Sequence, residues 1–380
     1  MRKLQEHVAS AVRSALDENR IVGTVVGVMH HGETVLLDAF GQADREAGRP
    51  MTTDAIFLLA SATKPIATAA VMALAERGIV DLDVPVATYL PSFVPRFGGD
   101  TPAISLRQLL SHTSGLSYRF REPPGSDYEL ARVASGLDQP GLTAEEQLSR
   151  LGSVALRFTP GTKWNYSLGV DVAGFAASAA AGRTLPELVA EFTTGPLGMN
   201  DTAFAVRDVS RHVAHYGVNA DGAPLRITDG YQGPSTGSPA TFAPSRIFNP
   251  ASYPSGGGGM AGTAADLLRF VEALRVGGGP ILSAASTATM TSDAMPHIGD
   301  ALEPGWSYGI GTEVLVDPSR ATGPERPGAF KGSGGYGHRW FVDRELGASV
   351  VVLTNSAPEG VRGRFVGDLR AAVYAALTDV

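Results

Sequence analysis

The chain has 380 residues, 43% of them hydrophobic, enough for a large core in one long fold or in two or three domains. Its formal net charge of −7, with no run of Lys or Arg, argues against a nucleic-acid partner. The absence of cysteine removes disulfides, thiolate metal sites and a cysteine nucleophile together, and fits a cytoplasmic protein.

Glu6 and His7 interrupt the start of the chain, so no signal peptide is expected, and no stretch approaches the length of a membrane span. Leu4, Val8, Val12 and Leu16 recur at helical spacing and predict a helix over 3–18. Val22 to Met29 and Glu33 to Phe40 read as a hairpin turning at His30-His31-Gly32, with both histidines solvated.

Ala55 to Ala60 then leads into Ser61-Ala62-Thr63-Lys64-Pro65 and an alanine-rich run, with Gly78 as a C-terminal stop. Pro65 fits only the first turn of that helix, where its missing N–H costs nothing. Ser61 therefore stands at or just before the helix N-terminus. A spacing of three puts Lys64 on the same face as Ser61. A serine hydroxyl becomes a nucleophile only when a base takes its proton. A neighbouring lysine can take it directly or bias a second group. The same four residues also suit a plain helix cap with a surface lysine.

Leu106 to Leu110 predicts a short helix ending at His112-Thr113-Ser114-Gly115, with His112 ordering the turn. Ala144 to Leu151 and Val170 to Ala181 read as helices, and 216–258 as long loops at a pocket rim. A helix opens at Gly262 to Asp266 and runs to about Val276. Trp306 to Val316, Gly334 to Asp343 and Ala348 to Asn355 read as strands, and Phe365 to Leu377 as a closing helix. Strands at both ends with helices between them predict an α+β fold. One antiparallel sheet flanked by helices would form from residues 1–80 and 259–380. A helical, loop-rich insertion would span 81–258, with the active site between the two.

Two further stretches carry chemistry. Tyr166 follows the turn Thr159-Pro160-Gly161-Thr162, which can project it from a loop. A phenol beside a lysine is pushed toward phenolate, a competent general base, although a lone tyrosine is more often a core aromatic with its OH satisfied. Residues 328–341 place several glycines around a strand start. Glycines there free backbone N–H groups for an oxyanion, one from this strand and one from Ser61, or mark a hairpin corner.

In this order the three elements resemble the serine β-lactamase and penicillin-binding-protein superfamily, and more closely the class C β-lactamases and family VIII carboxylesterases. Supporting blocks are Leu109-Leu110-Ser111-His112-Thr113-Ser114-Gly115-Leu116, Pro160-Gly161-Thr162-Lys163-Trp164-Asn165-Tyr166-Ser167, Gly259-Met260-Ala261-Gly262-Thr263 and Gly335-Tyr336-Gly337-His338-Arg339-Trp340. The resemblance implies Ser61 as the acylated nucleophile, Lys64 as the residue that stabilises the base or takes the proton, and Tyr166 as general base. It implies an oxyanion hole from the N–H groups of Ser61 and Gly335. It implies a two-step acyl-enzyme reaction without metal or organic cofactor. The eight histidines show no metal-ligand spacing.

Two departures bear on substrate. Leu168 stands where the lactamase pattern has asparagine. Gly332-Ser333-Gly334 stands where lactamases have Lys-Thr-Gly and the esterases Trp-Gly-Gly. Lys331 reaches the site only if the strand slips by one residue, which turns it to the other face. Leu168, Gly332, Ser333, Gly334 and His338 are expected against the substrate, with Gly332 widening the pocket floor. Weakened recognition of an acylamido group and a carboxylate favours a carboxylesterase acting on short-chain, small-molecule esters. The alternatives are a β-lactamase or D-Ala-D-Ala-type peptidase, an acyltransferase, and a non-catalytic binding protein on the same fold. Gly233-Pro234-Ser235-Thr236-Gly237 matches G-x-S-x-G, but a proline precedes the serine and no β-run leads in, so Ser235 is read as a decoy.

Overall fold

The computed structural model describes residues 2–219, 221–301 and 303–378. Its centre is an eight-stranded antiparallel sheet built from both ends of the chain. From one edge the strands are Trp306–Tyr308, Glu313–Leu315, Phe330–Gly334, His338–Asp343, Ala348–Thr354, Gly23–His30, Glu33–Asp44 and Arg49–Pro50. The first and last parts of the chain meet at the centre, where Val25 pairs with Leu353 and Val26 with Val352.

Side-chain alternation along these strands gives each face its own core. Val26, Val28, Val350 and Val352 face the terminal helices Arg2–Asp17 and Arg364–Thr378, meeting Val8, Val12, Phe365 and Val373. Val25, Val351 and Leu353 face the helix Ala264–Arg275 and the Ser61 helix, Thr63–Glu76. That last helix is buried without a break from Thr63 to Leu74. A helix apolar all round has no solvent face to turn outward, so it becomes the central post of the molecule. Helix Gly169–Ala181 packs on it from the other side, and its small alanines allow close approach. The α+β fold expected from the sequence is the fold observed.

Three stretches differ from expectation. Gly334 to Asp343 is not one strand. A turn at Gly335-Tyr336-Gly337 joins Phe330–Gly334 to His338–Asp343. Gly337, at φ +119°, donates its N–H to the Gly334 carbonyl at 2.9 Å and closes the turn. Trp306 to Val316 likewise divides into two paired strands. Residues 216–258 carry two small hairpins, Tyr216–Val218 with Pro224–Arg226 and Tyr231–Gly233 with Ala240–Phe242, rather than loops alone. Apolar alternation continues through short Gly-rich turns, so it cannot report them. His30, expected in solvent, is half-covered with Nε2 3.1 Å from the Leu346 carbonyl, whereas His31 is exposed.

Candidate active site

Ser61 sits in a single 3-10 turn, Ala60–Ala62, that runs straight into the central helix. The short strand Phe57–Leu58, paired with Ala261–Gly262, fixes the chain just before it. Ala60 adopts φ +46°, a left-handed conformation that costs a residue with a Cβ about 1–3 kcal/mol. The kink turns Ser61 out of the core and into a cavity of about 470 Å³. Pro65 falls in the first turn of the helix, where its missing N–H is no loss.

Lys64 is 2% exposed, and its Nζ makes three hydrogen bonds. It donates to Ser61 Oγ at 3.2 Å, Tyr118 Oη at 2.9 Å and the Gly257 carbonyl at 2.8 Å. Three acceptors around one nitrogen match the three donors of an ammonium. In this state Lys64 gives a hydrogen to Ser61 and does not accept one. The Lys64 ammonium also lies 4.6 Å from the centroid of the Tyr166 ring. Tyr166 lines the cavity beside Ser61 and Lys64.

Tyr118 was not singled out in the sequence. It lies two residues beyond the matching block that ends at Leu116, and that second tyrosine near Lys64 was the signal available. Its ring stands 5.3 Å from Tyr166 and stacks on Phe120 at 4.6 Å. Burial pushes its phenol well above the ordinary range, reinforced by Tyr166 and Asp171. His112 orders more than its own turn. It is fully buried, its Nδ1 accepts from the Ser167 N–H at 3.2 Å, and its ring lies 4.6 Å from Tyr166. Burial, then the charges of Lys64 and Arg121, holds it well below the usual imidazole range and keeps it neutral.

Gly335 lines the same cavity as Ser61. Neither the Ser61 nor the Gly335 N–H has a backbone partner among the described residues. Free N–H groups bordering a cavity can receive an oxyanion. Leu137 and Phe242 lie in ordinary contact distance of Gly335, each within 4 Å of where a Cβ would stand, and make this end of the cavity apolar.

The expected substrate contacts divide. Gly332 and Ser333 line the cavity, but Gly334 does not, being packed against the Leu59 carbonyl and His338. Leu168 is fully buried at the start of helix Gly169–Ala181 and reaches no part of the cavity. The expectation that it lies against the substrate is corrected by that burial. His338 is also corrected. Fully buried, it holds the Leu58 carbonyl through Nε2 at 2.8 Å, a structural tie behind the Ser61 turn.

Burial pushes the His338 imidazole down to about 4, so the fold favours its neutral form. Its contribution to stability is complete above the ordinary value of 6.5 and is lost as pH falls from there toward 4. Melting temperature should therefore fall as pH is lowered across that window. His338→Gln should flatten part of the fall. A curve identical to the parent's would show that His338 does not drive it.

Gly332 does not widen the floor. It pairs with Trp340 on the neighbouring strand, and a Cβ at 332 would meet that indole at 2.6–2.9 Å. The ring the esterase pattern places at this position is supplied by the adjacent strand instead. Trp340→Ala should raise kcat/KM for bulky-acyl esters relative to acetyl esters by roughly tenfold. An unchanged ratio would show that Trp340 does not bound the acyl pocket. Lys331, opposite Phe341, also lines the cavity without any slip of the strand, which corrects the expectation that it would be turned away; its Nζ donates to Glu303 at 2.7 Å and lies 3.5 Å over the Trp306 ring.

Ser235 lies in the loop between two short strands at the cavity rim. Its hydroxyl donates to the Ser238 and Gly237 carbonyls, so its neighbours hold the proton in place rather than remove it. Among the described residues no group of three or more His, Cys, Asp or Glu could hold a metal ion. No helix among them is long and apolar enough to cross a membrane.

The family model described as Beta-lactamase matches residues 8–375. Esterase EstB of Burkholderia gladioli is 43% identical over 366 residues, covering 95% of this chain and 93% of its own. The solved structure of EstCE1, described as a hydrolase with promiscuous acyltransferase activity, superposes with TM-score 0.94 at 38% identity, covering 98% of this chain and 99% of its own. A simvastatin synthase mutant of Aspergillus terreus shares the fold at TM-score 0.79 and 22% identity, over 100% of this chain and 99% of its own. On sequence and fold together, this chain belongs to the beta-lactamase family, as a serine hydrolase of the family VIII esterase-like kind.

Proposed function

We propose that the protein hydrolyses short-chain carboxylic esters through an acyl-enzyme on Ser61. The observation that carries this reading is the Ser61 hydroxyl held at 3.2 Å by a buried ammonium inside a cavity shared with Tyr166 and two free N–H groups. Ser61 Oγ attacks the ester carbonyl, and its proton passes to the Tyr166 phenolate. The N–H groups of Ser61 and Gly335 receive the oxyanion. Collapse breaks the ester C–O bond, and the Tyr166 proton goes to the departing alkoxide, releasing an alcohol. Water then gives its proton to Tyr166 and attacks the acyl carbon, and Ser61 leaves with that proton. Lys64 stays an ammonium throughout and favours the phenolate by its charge.

An ester rather than a lactam is supported by what the cavity leaves free to hold an acylamido group or a carboxylate. Leu168 is buried in the core, Lys331 is engaged by Glu303, and the wall next to Gly335 is apolar. Likeness to Esterase EstB supports the same choice. Incubation with p-nitrophenyl butyrate and with a chromogenic cephalosporin tests it. The account expects a burst of nitrophenol and then turnover, with the cephalosporin slower by about 10³-fold or more. Comparable rates on both would overturn the ester reading.

Likeness to EstCE1 supports a second reading, acyl transfer to an added alcohol in competition with water. Methyl butyrate formed in methanol-containing buffer would establish it. We read the catalytic cavity as lying between the sheet-forming part, 1–80 with 259–380, and the insertion, 81–258, because the first supplies Ser61 and Gly335 and the second Tyr166 and Tyr231. A cytoplasmic location accords with the cysteine-free composition, and cell fractionation checks it.

A further inference from the structure

A buried carboxylate lies behind the Lys64 cluster, and the reaction above does not use it. Asp171 stands in the first turn of helix Gly169–Ala181 and is 1% exposed. Neither of its carboxylate oxygens has a hydrogen bond of good geometry among the described residues, and the hydroxyls of Ser255 and Tyr253 beside it also lack one. A carboxylate is costly to bury with so few well-formed hydrogen bonds, so its presence asks for a reason beyond packing.

Gly257 fixes where Asp171 stands relative to the site. A Cβ at Gly257 would fall 2.4 Å from Asp171 Oδ2 and 3.1 Å from Tyr118 Oη, while the Gly257 carbonyl accepts from Lys64. Carboxylate, phenol and ammonium thus surround one glycine. The groups facing Asp171 are Lys64 on the central helix, Tyr118, Arg246 in the turn Pro244–Phe248, and Tyr253 and Ser255 in the loop that follows. Lys64 in turn faces Tyr166 and the neutral His112.

We propose that Asp171 is a positioning residue that divides the work of the two tyrosines, keeping buried Tyr118 a neutral hydrogen-bond partner of Lys64 and leaving Tyr166 to take the Ser61 proton. This rests on the acyl-serine reading above. Tyr166 lines the cavity and Tyr118 does not, so only Tyr166 can meet the nucleophile and the leaving group in turn. Burial raises the Tyr118 phenol first, and the nearby charges of Tyr166 and Asp171 raise it further. Burial also raises the Asp171 carboxyl, while Ser255, Lys64, Arg246 and the Gly257 N–H oppose that rise and favour the charged form. The same negative charge favours the ammonium at Lys64. Tyr118 and Asp171 exchange no proton during turnover.

Asp171→Asn keeps the shape and removes the charge. With p-nitrophenyl butyrate, kcat should fall about tenfold, and the alkaline limb of the kcat/KM profile should move to lower pH by about one unit. Both the Lys64 ammonium and the neutral Tyr118 phenol lose the field that favours them. A folded variant whose profile superposes on the parent's overturns the proposal. A loss of packing alone would lower the melting temperature without moving that limb. Should Asp171→Asn fail to fold, the tyrosines decide. Tyr118→Phe should keep the acylation burst within about 30-fold of the parent, whereas Tyr166→Phe should lose it by about 10³-fold. The reverse ranking overturns the proposal. Failure of the acyl-serine reading shows separately, as turnover retained in Ser61→Ala.

Discussion

Ser61→Ala is expected to lower kcat/KM for p-nitrophenyl butyrate by about 10³-fold or more and to abolish the burst. The oxygen removed is the one Lys64 holds at 3.2 Å at the edge of the cavity; the other hydroxyl Lys64 holds, that of Tyr118, does not line it. Ser61 is only part-buried, so its truncation should leave the melting temperature nearly unchanged. Ser235→Ala, at the other serine bordering the cavity, should stay within about twofold of the parent, because its hydroxyl is spent on two carbonyls. Activity lost in Ser235→Ala and kept in Ser61→Ala would reverse the assignment.

Lys64→Ala carries the second large effect, a loss on the order of 10³-fold in kcat with a smaller change in KM. Removing the ammonium takes a donor from Ser61 and Tyr118 together and leaves the Gly257 carbonyl without its partner. It also takes the positive charge from beneath the Tyr166 ring. The buried site makes this variant less stable as well, so activity is to be compared below its melting transition. Lys64→Arg should not rescue it, since a planar guanidinium cannot reproduce three converging bonds from one nitrogen. A Lys64→Ala enzyme within tenfold of the parent would show that the amine is structural only.

Much of this arrangement was legible before any coordinates. The spacing of Ser61, Lys64 and Pro65 allowed only one placement on a helix, and the structure has it. Strands at both ends of the chain pointed to a sheet closed by its two termini, as the pairing of Val25 with Leu353 shows. What stayed hidden depends on contacts across the chain. Tyr118 reaches Lys64 over 54 residues, and a lone aromatic after a loop motif carries no mark of that. Trp340 covers Gly332 because two strands pair in one register, fixed by a turn that apolar alternation does not reveal. Leu168 and His338 sit next to motif residues in sequence yet face away from the cavity, since adjacency says nothing about which way a side chain turns. Asp171 falls inside a predicted helix, and its burial beside Gly257 is visible only in three dimensions.

The most direct test is to react the protein with a p-nitrophenyl alkylphosphonate and map the adduct by tandem mass spectrometry. One phosphonyl group per chain on Ser61, formed as nitrophenol is released and ester turnover stops, is the predicted result. An adduct on Ser235 or any other side chain, or ester turnover that survives full labelling of Ser61, would contradict it.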